Sequence, residues 1–240
     1  MVTAARQDTR APARGLGLRR SLCSGLVGLT LGVGPHAQGW AQTGATPAAG
    51  AKGQGDDTSA WPQVLEGSVL ATSICSTWVL YDEARGPRAR WGTEARVALI
   101  GGSAVLGAGL GAWLWSVRPV APARAAFPPS LALWTGAATG LLVAGLTSNE
   151  ARRDEFGLFG AALALEAGAV AGTALARWTQ PSGREVMALH VGAAAGGALV
   201  GGAAWGLEGF RAPGDAQLVW VGTAAGIVAG GLLAWLWQRR

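Results

Sequence analysis

Charged residues are scarce in this chain. Asp, Glu, Lys and Arg make up 14% of its 240 residues, whereas a typical soluble domain has about 25%. Half of the residues are apolar, 39 are glycine, and the mean hydropathy is +0.30. This combination favours a protein that is surrounded by lipid over a soluble domain.

Residues that commonly build reactive sites are also few. The chain has two cysteines and two histidines, and no group of polar residues has the spacing of a catalytic or metal-binding motif. Its glycines lie inside apolar segments and not in a loop between a strand and a helix, which excludes a nucleotide-binding fingerprint. The sequence therefore predicts no enzymatic activity, no cofactor and no metal.

Positive charge is concentrated near the start of the chain. The formal net charge is +5, and the first 41 residues carry five arginines against one aspartate. The rest of the chain holds 14 basic against 13 acidic residues. Because the basic balance comes from this leader, the composition gives no reason to expect a nucleic-acid partner.

Residues 1–41 have the pattern of a cleaved signal peptide. A basic start precedes an apolar core at residues 22–33, which is too short to span a bilayer, and Gly34-Pro35 ends it. Gly39-Trp40-Ala41 offers small residues for cleavage before Gln42. Cleavage there would place the mature amino terminus outside a bacterial-type cell membrane.

A segment with the composition of a flexible linker follows the leader. Residues 42–63 are rich in Gly, Ala, Thr and Pro, which bury too little apolar surface to fold. Removal of the leader would also remove Cys23, so Cys75 would be the single cysteine of the mature chain. No internal disulfide could then form.

Six apolar segments form a predicted transmembrane domain at residues 64–240. They lie at 64–81, 97–117, 131–148, 157–177, 187–206 and 218–238. Each has 18 to 21 residues, close to the about 20 that a helix needs to cross a hydrocarbon layer of ~30 Å. Tryptophans near many segment ends fit an interfacial belt. We predict an all-α integral membrane bundle of about six transmembrane helices.

The orientation of these helices is predicted from the leader and the first joint. An outside amino terminus puts the arginine-rich joint at residues 82–96 inside, in agreement with the positive-inside rule. The later joints carry no consistent excess of basic residues on one side. The prediction of a multi-pass protein with its mature amino terminus outside depends on those two features.

Four segments share one spacing of small residues, Gly-x-Ala-x-small-x4-small. It begins at Gly136, Gly160, Gly192 and Gly222, which suggests an internal repeat. Small residues four apart share a helix face and let backbones approach closely, as helices in lipid require. We predict Gly/Ala zipper packing at the glycines of three segments: Gly136, Gly140, Gly192, Gly196, Gly222, Gly226 and Gly230.

Two polar residues inside the segments are candidate functional residues. Glu166 lies near the middle of segment 157–177, where an uncompensated charge costs roughly 2.5 to 3.5 kcal/mol. It is either part of a proton or cation path or an interior group that is protonated or bonded to threonine or backbone. His190 occupies the position that Trp134 and Trp220 hold in the repeat. It is either an interfacial ring or a proton-responsive or ligand-binding group.

Two short runs resemble the Ser and His helices of rhomboid intramembrane proteases. They are Ile100-Gly101-Gly102-Ser103-Ala104 and Leu189-His190-Val191-Gly192 with Gly196. In that family one helix separates the two, so they run the same way. Here two segments intervene, so Ser103 and His190 would lie on the order of 15 Å apart in depth. A nucleophile and its base must approach within about 3 Å, so the protease interpretation is not supported.

The sequence thus predicts a membrane protein with a structural or assembly role. The main alternative is a small transporter or channel that uses the intramembrane carboxyl of Glu166, and a membrane-embedded enzyme is the third. The partners expected are the lipid bilayer and either a second copy of the chain or another membrane protein.

Overall fold

The computed structural model describes residues 60–208 and 217–240. The predicted signal peptide at residues 1–41 and residues 42–59 of the predicted linker lie outside this part of the chain. The described residues form six α-helices: α1 (Trp61–Ala84), α2 (Thr93–Val117), α3 (Pro122–Leu146), α4 (Arg153–Thr179), α5 (Gly183–Glu208) and α6 (Gln217–Gln238). All six are long and apolar enough to cross a membrane. For these described residues, the prediction of an all-helical fold with six apolar helices of membrane-spanning length is confirmed.

The start of α3 differs most from the sequence prediction. The helix begins at Pro122, whereas the apolar segment was predicted from residue 131. Pro122 fits the first turn because its missing N–H would have no acceptor within the helix. Pro128 and Pro129 lie inside α3, where they remove the hydrogen bonds of two N–H groups without ending the helix. The interpretation of these prolines as part of a joint was wrong.

The helices are arranged as three antiparallel hairpins. The most extensive contacts join α1 to α2, α3 to α4 and α5 to α6. The central helix α3 also contacts α1, α5 and α6, while α2 packs mainly against α1. The side where α1, α3 and α5 end is called the hairpin end here, and the opposite side is called the linker end.

Each hairpin contains a glycine pair at a close approach of its two backbones. A Cβ on either member would overlap the other's carbonyl oxygen in the pairs Gly67–Gly107, Gly192–Gly230 and Gly196–Gly226. In α3/α4 the contact is wider, because a Cβ on Gly140 would lie 3.1 Å from the Gly157 oxygen. The α1/α2 pair lies outside the repeat register and was not expected.

Small residues also fill the interior. The most deeply buried apolar side chains in the described part of the chain are alanines, with Ala132 and Ala162 at 0% exposure and Ala193 at 1%. Large apolar side chains such as Val105, Val170 and Leu199 point outward. In the described part of the chain most buried apolar residues are therefore alanines, and many bulky apolar side chains face away from the bundle.

Candidate functional site

His190 lies in α5 and joins a hydrogen-bond network with α3. Its Nδ1 accepts a hydrogen bond from the indole Nε1 of Trp134 at 2.8 Å, and its Nε2 is 2.8 Å from Ser130 Oγ. Ser130 Oγ in turn donates to the Ala126 carbonyl oxygen at 2.7 Å. The Trp134 and His190 rings also meet edge to face, 5.9 Å apart. The network therefore ties α3 to α5 near the linker end.

The direction of each hydrogen bond in this network follows from Trp134. An indole N–H can only donate, so Nδ1 of His190 is an acceptor and the proton of the neutral ring is on Nε2. The Nε2–H group then donates a hydrogen bond to Ser130 Oγ, and the Ser130 hydroxyl donates to the Ala126 carbonyl oxygen. The Trp134 indole, the His190 imidazole and the Ser130 hydroxyl therefore all have hydrogen-bond partners.

A serine and a histidine within hydrogen-bond distance also form the core of many nucleophilic sites. In such sites the histidine nitrogen that faces the hydroxyl must be free to accept its proton, and a third group holds that tautomer by accepting from the other nitrogen. Trp134 does the opposite, because it donates to Nδ1. This arrangement does not activate Ser130, and it fits a contact that fixes two helices.

The pairing of His190 differs from the one that the rhomboid resemblance implies. Ser103 Oγ donates to the Ile100 carbonyl oxygen of its own helix at 2.7 Å, and α2 packs mainly against α1. His190 pairs with Ser130 instead. Sequence reasoning missed Ser130 because it was assigned to the joint before the third apolar segment.

Glu166 lies at the middle of α4 but on the outward side of that helix. Its side chain is exposed, and its Oε1 accepts a hydrogen bond from the Trp78 indole of α1 at 2.9 Å. The carboxyl group is thus not enclosed in the bundle, and its partner is an indole and not the threonine or backbone group that one interpretation expected. A path lined by Glu166 would run along the outer surface of these helices.

An aromatic cluster holds the Trp78 indole in place. Trp78 packs edge-on against Tyr81 at 5.6 Å and against Phe159 at 6.0 Å between ring centroids. Phe159 precedes Glu166 by two helical turns on α4. The cluster fixes the direction of the indole N–H and therefore the position of the carboxyl group that accepts from it.

A second acidic residue of the apolar helices was not singled out from the sequence. Glu66 is half-buried on α1, seven and eleven residues before the buried Ser73 and Thr77. At 100° per residue these three side chains share one face of the helix. The spacing of these three residues was the sequence signal that could have identified Glu66. It was overlooked because Glu66 lies near the start of its apolar segment.

A buried carboxylate anchors the loop at the hairpin end between α1 and α2. Asp82 accepts hydrogen bonds from the backbone N–H groups of Arg90, at 2.9 and 3.1 Å, and Trp91, at 3.0 Å. Arg96 lies 3.7 Å from the same carboxylate. These contacts hold the connection that positions α2 beside α1.

A second carboxylate organises the linker end. Glu185 and Ser182 form a reciprocal cap at the start of α5, with the Ser182 N–H donating to Glu185 Oε2 at 2.6 Å. Arg239 donates from Nε to Glu185 Oε1 at 2.7 Å and from Nη2 to the Thr179 carbonyl at 2.8 Å. The guanidinium also lies over Trp235, 4.4 Å from the ring centroid. The end of α6 is thereby joined to the connection between α4 and α5.

Histidine, cysteine and acidic side chains do not gather into a metal-binding group within residues 60–208 and 217–240. The polar contacts found there are hydrogen bonds and ion pairs between helices and loops. No family model, curated protein or solved structure matches this chain.

Proposed function

We propose that the chain is a multi-pass membrane protein with a structural or assembly role and no enzymatic activity. The observation that carries this proposal is the direction of hydrogen bonding at His190. Trp134 keeps Nδ1 as an acceptor, so the ring donates to Ser130 and holds α3 against α5. A group that is committed to its neighbours in this way supports a role in holding helices together.

The proposal includes Gly/Ala zipper packing between the helices. It is supported by the backbone contacts at Gly192, Gly196, Gly226 and Gly230, where a Cβ would overlap a carbonyl oxygen of the paired helix. Gly136 and Gly140 contribute less closely, since a Cβ there would lie 2.6 Å from Leu165 Cγ and 2.8 Å from Ala161 Cβ. Gly222 has the most room, with Ala204 Cβ at 3.3 Å.

The proposal also includes a cleaved leader and an outside amino terminus in a bacterial-type cell membrane. Amino-terminal sequencing of the protein extracted from membranes tests the cleavage. We expect a mature chain that begins near Gln42. Recovery of an intact leader would contradict the cleavage and remove the main argument for the orientation.

Reconstitution of the purified full chain in lipid vesicles tests the structural role against transport. We expect vesicles with the wild-type chain and with Glu166→Gln to be equally tight to protons, sodium and potassium. The Gln variant removes the charge but keeps a group that can accept from Trp78, so folding is preserved. A wild-type ion flux that this variant loses would contradict the structural role and favour the transporter.

A further inference from the structure

The outward side of α4 carries a continuous row of exposed side chains that we call the α4 stripe. Its members are Phe159, Leu163, Glu166, Val170, Thr173 and Arg177. Their spacings alternate between four and three residues, which is the 3.5-residue repeat of helices that pair along a shallow left-handed crossing. A helix pair with this geometry is common among membrane-spanning helices.

The carboxyl group in the stripe needs a partner beyond this chain. α4 has 27 residues and Glu166 is its fourteenth, so the side chain lies near the middle of the apolar layer. Trp78 satisfies one carboxyl oxygen, and a carboxyl group has up to four acceptor positions. Arg177, in the same stripe, is eleven residues away, about 16 Å along the helix. Hydrocarbon lipid offers no hydrogen bond to the rest of the group.

A second copy of the chain meets this need through symmetry. Copies inserted with the same orientation are related by rotation about the membrane normal, so their α4 helices would run parallel and each residue would meet its own counterpart at the same depth. A carboxyl group can donate when protonated and accept in either state. Glu166 is thus complementary to Glu166 of another copy when at least one of the two carboxyl groups is protonated, because the protonated group donates and the other accepts.

We propose that the α4 stripe is the interface of a homodimer in which the two Glu166 carboxyls hydrogen-bond to each other near the membrane midplane. The inference rests on the proposed assembly role and names its partner. The Trp78 indole keeps each carboxyl in the stripe, because it bonds to Oε1 from the neighbouring α1 helix. Arg177 lies in the last turn of α4, at the edge of the apolar layer, where its long side chain can extend into water and away from its counterpart.

Disulfide cross-linking in lipid vesicles tests the location of the interface. The full chain is prepared with Cys23→Ser and Cys75→Ser, and one cysteine is introduced as Val170→Cys in the stripe or Val105→Cys on α2. The two valines are matched, since each is 73% exposed. We expect oxidation to give covalent dimers with Val170→Cys and not with Val105→Cys. The yield should persist when lipid is added to lower the density of protein in the membrane.

The contribution of Glu166 is tested by measuring dimer dissociation as a function of dilution in lipid, with fluorescently labelled full chain. Glu166→Leu removes the hydrogen bond, and we expect dimerisation to weaken about tenfold. Glu166→Gln keeps a donor and an acceptor, and its dimerisation should stay within about threefold of wild type. Helical content by circular dichroism confirms that each variant is folded.

Two outcomes would overturn the homodimer at the α4 stripe, and a third would overturn its carboxyl contact. Equal cross-linking at both positions that falls on dilution would indicate random collisions, and no cross-linking at Val170→Cys would place the interface elsewhere or nowhere. Equal dimerisation of the Leu and wild-type chains would exclude the carboxyl contact. The flux assay separates this inference from the proposed function: tight vesicles without dimers refute only the interface, whereas dimers in vesicles with Glu166-dependent flux refute only the structural role.

Discussion

His190 and Glu166 are both polar side chains inside apolar helices, and each accepts a hydrogen bond from a tryptophan indole. The distances are nearly equal, 2.8 Å to His190 Nδ1 and 2.9 Å to Glu166 Oε1. His190 has a second partner, Ser130, on the same neighbouring helix, and its network is closed. Glu166 is exposed beside a single indole. Both residues have the indole partner, so the indole does not distinguish them. The difference is Ser130, which gives His190 a second partner within the bundle, whereas Glu166 keeps unused acceptor positions that another molecule could reach.

The largest effect on stability is expected at the close glycine contacts between helices, because there is no free space for a side chain. Gly226→Ile would drive a side chain into the Gly196 carbonyl and should lower the free energy of unfolding in detergent by about 3 kcal/mol or more. Leu232→Ile on the same helix, at a 49% exposed position, should cost less than about 1 kcal/mol. Equal tolerance of the two changes would mean that the small residues reflect composition only.

Removal of the imidazole should have the next largest effect. His190→Leu leaves the Trp134 N–H without its acceptor and Ser130 Oγ without its donor, so we expect a loss of about 2 kcal/mol in unfolding free energy. Val191→Leu, at the exposed neighbouring position, serves as the control and should be nearly neutral. Chemical unfolding in mild detergent measures both. If His190→Leu left the unfolding free energy unchanged, the proposed difference between His190 and Glu166 would not hold.

Ser130 sharpens the comparison further. Ser130→Ala removes one hydrogen bond to His190 from a buried position, and we expect a cost of about 1 kcal/mol. Ser103→Ala removes only a bond to the carbonyl of its own helix and should change the unfolding free energy by less than about 0.5 kcal/mol. Similar costs for the two serines would show that the bridge between α3 and α5 contributes little.

The smallest effect on folding is expected at Glu166. Glu166→Gln keeps an oxygen that can accept from Trp78, and the group is exposed, so the unfolding free energy in dilute detergent should change by less than about 0.5 kcal/mol. Trp78→Phe tests the same bond from the donor side and keeps the ring against Phe159. A large loss with the Gln variant would place Glu166 among the groups that hold the bundle.

The number of helices could be predicted because segment length and hydropathy fix it locally. The glycine spacing predicts zipper packing at Gly192, Gly196, Gly226 and Gly230, and that packing stays part of the proposed function. The Gly67–Gly107 contact was not foreseen, because Gly107 and Gly111 are four residues apart on α2 and both meet the backbone of α1 but lie outside the repeat register. Which helix each glycine faces depends on the hairpin arrangement, and no local pattern encodes it.

The polar site was harder to predict than the fold. The exposure of Glu166 depends on how α4 is rotated, and a helix with small residues on two sides has no apolar stripe that fixes its rotation. Ser130 was hidden because Pro128-Pro129 was interpreted as the end of a joint. Both features depend on contacts between parts of the chain that are distant in sequence. Ser130 and His190, for example, are 60 residues apart.

The hairpin arrangement has a consequence for the order in which the helices pair during synthesis. The richest contacts join consecutive helices, so each hairpin can close as soon as its second helix has been synthesised and inserted. The bridge from Trp134 and Ser130 to His190 must wait until α5 has followed α3 and α4. Biogenesis would then proceed as three quick local closures, with the His190 bridge forming only once the third hairpin has begun to enter the membrane.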